Sequence, residues 1–363
     1  MADTAVQTPG AEAGAPAGVQ PGTTPLDAYR RAPLGRRLAT FASFRNISAV
    51  YLLAFLFVVF ALWIPDTFLT SGTWRSLLAN QSITCLVAVG LVVPLAAGVF
   101  DLAVGSEVGL GAVIAAWLLV RQDLPAPVAI LLALLAGAAV GVVISFLIVR
   151  AHINSFIATL GVSSVLLALI NWTSGNQQIL NIPAGFGKLA TGQLLGVVYP
   201  VYIMLAVALL VWYVLERTPA GRRVYATGGN IEAASLAGVR TARVILASTI
   251  TCGVISGLAG LLVTSQLSAG DPSIGPGYLL PAIAAAVLGS TQLRGGRYNV
   301  WGTVIAAYVL ATGVKGLQLA GAPVWIPDLF NGLALLIAVG MAAYQKSPTA
   351  RTAAIRRYLQ RNR

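Results

Sequence analysis

Two carboxylates, Asp101 and Glu107, are the acidic residues of the first half of the chain that stand among apolar runs, in the stretch G-V-F-D-L-A-V-G-S-E from Gly98 to Glu107. An ionisable group at membrane depth is costly and points first to function. Asp is also a preferred helix N-cap. Asp101 is therefore either the cap of the helix that follows it or a polar lining near the inner end of a path. Glu107, one turn on, could face the same cavity. Gly105, Gly109 and Gly111 form a small-residue face of the kind that lets helices approach closely. Asn154 and Ser155 open another apolar run and either cap it or line the path. The candidate path set is Asp101, Gly105, Ser106, Asn154, Ser155, Gly275 and Gly277.

Catalytic chemistry finds little material. His152 is the one histidine, and one His with two separated cysteines, Cys85 and Cys252, builds no metal constellation. The two cysteines lie inside apolar runs as packing residues, with no disulfide framework implied. The phosphate-binding pattern G-x-x-x-x-G-K-S/T is absent, so the chain holds no such site for ATP.

The longest hydrophilic internal segment runs from Glu216 to Arg243 and has its own order. Gly228 and Gly229 predict a turn. Asn230 is a good N-cap for a short helix over Ile231, Glu232, Ala233, Ala234 and on to Ala237. Glu232 sits in the first turn, where negative charge suits the helix dipole. Gly238 is a helix stop. Arg222, Arg223, Arg240 and Arg243 flank this helix. On these residues alone it is either a docking segment or an ordinary interfacial connector.

The elements that position these groups follow from composition. Hydrophobic residues make up 57% of 363 residues and charged residues 9%, against about 25% charged in a soluble domain. Mean hydropathy is +0.83. A spanning helix needs about 20 apolar residues, and ten runs qualify, near 47–65, 82–100, 103–120, 126–149, 155–172, 196–215, 244–268, 276–291, 299–314 and 327–344. With both termini inside, this arrangement sorts nineteen of the 23 basic residues to the inner side and leaves Arg75, Arg121, Lys188 and Lys315 outside. That sorting assigns the net charge of +12 to membrane topology rather than to nucleic acid. Residues 1–44 are expected to be a disordered cytoplasmic extension without the apolar core of a secretory signal. Residues 346–363 form a basic cytoplasmic tail. Breaks at 98–106 and 269–277, in the third and eighth runs' approaches, lie 172 residues apart. They suggest two inverted five-helix halves with a path between them.

Several stretches together resemble one family. G-G-N-x-x-A-A-x-x-A-G-V after A-G-R-x-x-Y-A, D-L-A-V-G-S at 101–106, F-I-A-T-L at 156–160 and G-P-G-Y-L-L-P-A-I-A-A-A-V-L-G-S at 275–290 are similar to the permease subunits of ribose-, xylose- and galactose-type ABC importers. The likeness covers about residues 47–345. Phe100, Ala103 and Glu107 depart from the family's usual residues, which at 107 are apolar. The resemblance implies an all-α membrane domain over 45–345 in the cytoplasmic membrane of a bacterium. It implies a coupling loop over 216–243 that docks on a cytoplasmic ATPase holding ATP and magnesium. It also implies an extracytoplasmic sugar-binding protein and a second permease copy. The chain itself would bind no cofactor. A branched-chain amino-acid permease of the same superfamily and an ion-coupled carrier are the alternatives.

Overall fold

The computed structural model describes residues 44–292 and 296–346. The expected extension and tail lie outside these residues, apart from the backbone of Phe44 and Lys346, and so does Arg294. Among the described residues the chain is helical apart from loops and one small hairpin. The helices are α1 (Phe44–Trp63), α2 (Pro65–Phe68), α3 (Ser71–Ala96), α4 (Val104–Val120), α5 (Ala126–Val149), α6 (Ser155–Ser174) and α7 (Ala184–Thr191). After the hairpin β1 (Gln193–Leu194) and β2 (Val197–Val198) come α8 (Tyr199–Arg217), α9 (Pro219–Gly229), α10 (Ile231–Leu236), α11 (Thr241–Leu267), α12 (Pro276–Gln292), α13 (Val300–Leu319) and α14 (Ile326–Lys346). The hairpin pairs Gln193 with Val198 and Leu194 with Val197, antiparallel.

Six of these helices, α3, α5, α6, α8, α11 and α13, are long and apolar enough to cross a membrane. α1, α4, α12 and α14 contain shorter apolar stretches. The outer surface agrees with a bilayer as solvent. Leu131, Leu135, Phe146, Ile157, Val165 and Leu210 all stand exposed. A water-soluble surface rarely presents contiguous apolar area of this kind. The protein is a multi-pass α-helical membrane protein.

Helix ends follow local chemistry. Thr70 caps α3 by accepting from the Thr73 amide at 3.3 Å, and Asn299 caps α13 by accepting from the Gly302 amide at 2.7 Å. Prolines open α5 and α8, where a missing N–H costs nothing. α3 begins eleven residues before the expected run at 82, because Arg75, Asn80 and Gln81 lower the hydropathy of a segment that is nevertheless helical. The sixth run begins later than expected, at Tyr199, because Leu195 and Gly196, both at positive φ, turn the chain into the hairpin.

α3 and α11 form the buried centre. α11 packs on α5, α4 and α3; α3 also meets α8, α13 and α12. Small residues allow this. The position a Cβ would take on Gly111 lies 2.8 Å from the Gly257 carbonyl oxygen, and Gly137 and Gly141 of α5 meet Gly253 and Thr249 of α11 just as closely. Hydrophobic matching between helices is weak in lipid, so such close backbone approach supplies the packing.

Candidate functional site

Three polar features interrupt the apolar bundle. The first is the break between α3 and α4. Pro94 lies in the last turn of α3, and Gly98 adopts φ +84°. Asp101 is not the N-cap of α4, contrary to one of the two sequence readings: Ala103 holds that position without a side-chain cap. Instead Asp101 Oδ1 accepts from the Ala103 amide at 3.0 Å, an Asx-type turn that shapes the break itself. Asp101 and Glu107 are both 1% exposed. Asp101 Oδ2 and both Glu107 carboxylate oxygens have no hydrogen-bond partner, and neither does Ser256 Oγ of α11. Cys252, one turn before Ser256, completes the group: ligand atoms of Asp101, Glu107 and Cys252 lie within 4.8 Å of one another. Sequence spacing concealed this, since 145 residues separate Glu107 from Cys252. Cys252 is buried, as expected of a packing residue, and the fold also sets it beside the two carboxylates.

The other expected path residues have plainer surroundings. The position of a Cβ on Gly105 lies 2.9 Å from the Gly275 carbonyl oxygen, so these two glycines form a tight helix contact rather than open space. Ser106 Oγ and Ser163 Oγ are hydrogen-bonded at 2.7 Å. Asn154 Oδ1 accepts from the Phe156 amide at 2.9 Å as the cap of α6. The Phe100 amide donates to Ser155 Oγ at 3.4 Å. Gly277 is exposed with open space at its Cβ position.

The second feature is the segment from α9 to α10. Gly228 and Gly229 do not form the expected turn; they are the last residues of α9, which the sequence hid because glycine is a poor helix former. The turn is Asn230 itself, extended at φ −160°, which ends α9 and caps α10 by accepting from the Ala233 amide at 2.9 Å. α10 stops at Leu236, and Gly238 follows at φ +84°. Ala234 is buried, while Ile231, Glu232, Ala233 and Ala237 are exposed. Leu236 is 91% exposed. Most telling is the seat of α9. A Cβ on Gly228 would collide with the Ala96 carbonyl oxygen, and one on Gly98 would lie 3.2 Å from the Gly228 Cα. The segment thus touches the α3–α4 break backbone to backbone. Ala97, Gly98, Asn154, Ser155, Asn230 and Glu232 share a cavity of about 550 Å³ beside this contact. Tyr225 Oη also donates to the Tyr298 carbonyl at 2.7 Å, tying α9 to the start of α13.

The third feature was missed in sequence. At the far ends of α3 and α13, Asn80, Gln81, Thr84, Lys315, Gln318 and Asn331 line a cavity of about 200 Å³. Gln81 Nε2 donates to the Ala307 carbonyl at 2.9 Å, and Gln266 Nε2 donates to Asn80 Oδ1 at 2.5 Å. Lys315 and Gln318 are three apart on one helix and so share a face; that spacing was the available signal.

A family model described as the branched-chain amino acid transport system / permease component matches residues 75–339. The chain belongs to this family. The permease is 33% identical over 309 residues to the ribose import permease protein RbsC of Escherichia coli (strain K12), covering 84% of the permease and 96% of that relative. It is 31% identical over 325 residues to the L-arabinose ABC transporter permease protein AraH of Azospirillum brasilense, covering 90% and 95%. It is also 32% identical over 271 residues to the autoinducer 2 import system permease protein LsrD of Escherichia coli O9:H4 (strain HS), covering 72% and 82%. No solved structure matches the permease. A family model that spans both breaks and the α9–α10 segment makes the protein a transport component rather than a catalyst.

Proposed function

We propose that the permease carries a monosaccharide of the ribose type inward across a bacterial cytoplasmic membrane. A binding protein would deliver the sugar, and a separate ATPase chain holding ATP and magnesium would power the step. The observation that carries this reading is the amide-rich cavity at the far ends of α3 and α13. Asn80, Gln81, Thr84 and Asn331 offer both donors and acceptors, which suits a neutral polyol. A branched aliphatic side chain would gain nothing there. The names of the relatives, importers of ribose and L-arabinose, support the same substrate class.

In this reading the ten longer helices are ten spans with both termini inside. The cavity then lies toward the outer face, and α9–α10 lies in the cytoplasm as the coupling loop of residues 216–243. Two halves are suggested by helix lengths: α3 and α11 have 26 and 27 residues, each precedes a break, and each break opens a 17-residue helix, α4 or α12. α1 and α8 depart from that pairing, α1 packing on α13 and α8 on α3. The path runs from the amide cavity past the breaks toward Asn154, Ser155 and the loop, with Gly105 against Gly275 as a closed point. One coupling loop serves one ATPase domain, so two copies of the permease form the working unit.

The test is uptake in cells that express the permease with its binding protein and ATPase. Radiolabelled ribose, arabinose and leucine are compared in the native protein and in Asn80→Ala and Gln81→Ala. Sugar uptake that falls about tenfold in either variant, at unchanged membrane abundance, is the expected result; a lost charged or shared hydrogen bond is worth about this much. Leucine uptake unaffected by excess sugar would overturn the sugar assignment.

A further inference from the structure

We propose that Asp101, Glu107 and Cys252 form a zinc site inside the bundle, joining the α3–α4 break to α11, with a water as the fourth ligand. Three ligand atoms converge there, from the break, α4 and α11. Asp101 and Glu107 come from the break and the first turn of α4. Cys252 and Ser256 are four apart on α11 and therefore share one helix face. The side chains are shut off from solvent: Cys252 and Ser256 are 0% exposed and both carboxylates 1%.

Three carboxylate oxygens and the Ser256 hydroxyl are left without partners. Buried polar atoms in folded proteins are almost always satisfied, and an unsatisfied group calls for an explanation such as an ion or water. Here a carboxylate oxygen of each acid lies within 4.8 Å of the other and of a thiol. Among the described residues neither carboxylate makes a salt bridge, and the two stand beside each other. Two such carboxylates beside each other, cut off from water, need a cation or protons.

The donor set selects the cation. Calcium and magnesium take six or more oxygens and leave thiols alone. Zinc accepts carboxylate oxygen and thiolate together in four-coordinate geometry, at about 2.0–2.2 Å for oxygen and about 2.3 Å for sulfur. Donor atoms around such an ion stand about 3.3–3.8 Å apart. Binding would draw the present separations, up to 4.8 Å, into that range. The thiol gives up its proton on coordination, so binding weakens in acid.

The experiment uses the full-length permease purified in detergent, stripped with a chelator, then loaded with zinc or cobalt and desalted. One zinc retained per chain is expected. Cobalt should give the intense visible bands of a tetrahedral ion with a thiolate charge-transfer band in the near ultraviolet. Cys252→Ser should lose the charge-transfer band, and Glu107→Gln should weaken zinc affinity at least about tenfold. The native cobalt spectrum needs no variant, so a variant that fails to fold does not blunt the test. Zinc retained equally by native and variant proteins would place it elsewhere and overturn the site. So would a pale octahedral cobalt spectrum. So would the infrared carbonyl band of protonated carboxyls persisting in zinc-loaded native protein, which would mean that protons neutralise the pair.

Discussion

At the scale of single residues, Gly228 and Gly229 separate cleanly although they are neighbours of the same type. A Cβ at 228 meets the Ala96 carbonyl oxygen, whereas one at 229 meets nothing within 4 Å. Gly228→Ala therefore has to push α9 away from the break, an overpacking that costs about 1–3 kcal/mol. Uptake should fall about tenfold or more, since 1.4 kcal/mol is a tenfold change. Gly229→Ala should stay within about twofold. Parallel uptake assays on the two variants check this, and equal losses would remove the contact from the mechanism. The sequence marked the G-G-N motif but could not rank its glycines, because only tertiary contact distinguishes them. Asp101 shows the same limit. Its type suggested a cap, and its burial, visible only in the fold, set it instead beside Glu107 and Cys252.

At the scale of elements, the short helix α10 was legible almost to its ends, because Asn230 and Gly238 are chemical signals that act locally. Its exposed tip was not. Leu236 is 91% exposed and stands where a docking helix would present an apolar anchor. Leu236→Asp should reduce co-purification of the ATPase at least about fivefold while leaving membrane insertion unchanged, because a buried apolar side chain is worth about 1.5–3 kcal/mol. Undiminished co-purification would assign docking to other residues. The second break offers a pH test. Asp271 lies outside the helices; partial burial works against its charge, but the Ser273 hydroxyl, the Ser273 amide and Gln178 together hold its carboxyl below the usual range. It accepts at 2.7 Å, 2.8 Å and 2.8 Å from those groups. A folded-state pKa below the unfolded one stabilises above the unfolded value, and the effect is lost as pH falls through the folded value. Exchange of the Ser273 amide, corrected for intrinsic rate, should accelerate only in strong acid, and in Asp271→Ala, which has no acceptor there, should be fast at every pH. Protection that persists in the Ala variant would discount this tie.

At the scale of the whole molecule, hydropathy located six helices long and apolar enough to cross a membrane, because lipid demands a continuous apolar surface and that demand is written along the chain. It misplaced the start of α3 because the polar residues that line a cavity look, in one dimension, like a loop. How the helices cross was not legible, since contacts between small residues such as Gly111 and Gly257 leave no periodic mark. Orientation remains a prediction of the charge sorting. With Cys85 and Cys252 both buried, single cysteines introduced at Lys188 and Arg240 can be labelled selectively. An impermeant thiol reagent added outside intact cells should react at 188 and spare 240. Labelling of both from the same side would require a different number of crossings.

The seat of α9 on the break has a mechanical meaning. Most contacts between moving parts of a protein run through side chains, whose rotamers give way before the backbone does. Between Gly228 and Ala96 there is no side chain to yield. If the loop is where the ATPase pushes, as proposed, that push meets the break with no side chain between them to absorb it. Reporters placed on α10 and on the break should therefore change in a single kinetic phase after ATP is added, with no lag between them. The same stiffness leaves little tolerance: an error of one carbon atom at this joint is felt in full at the other end.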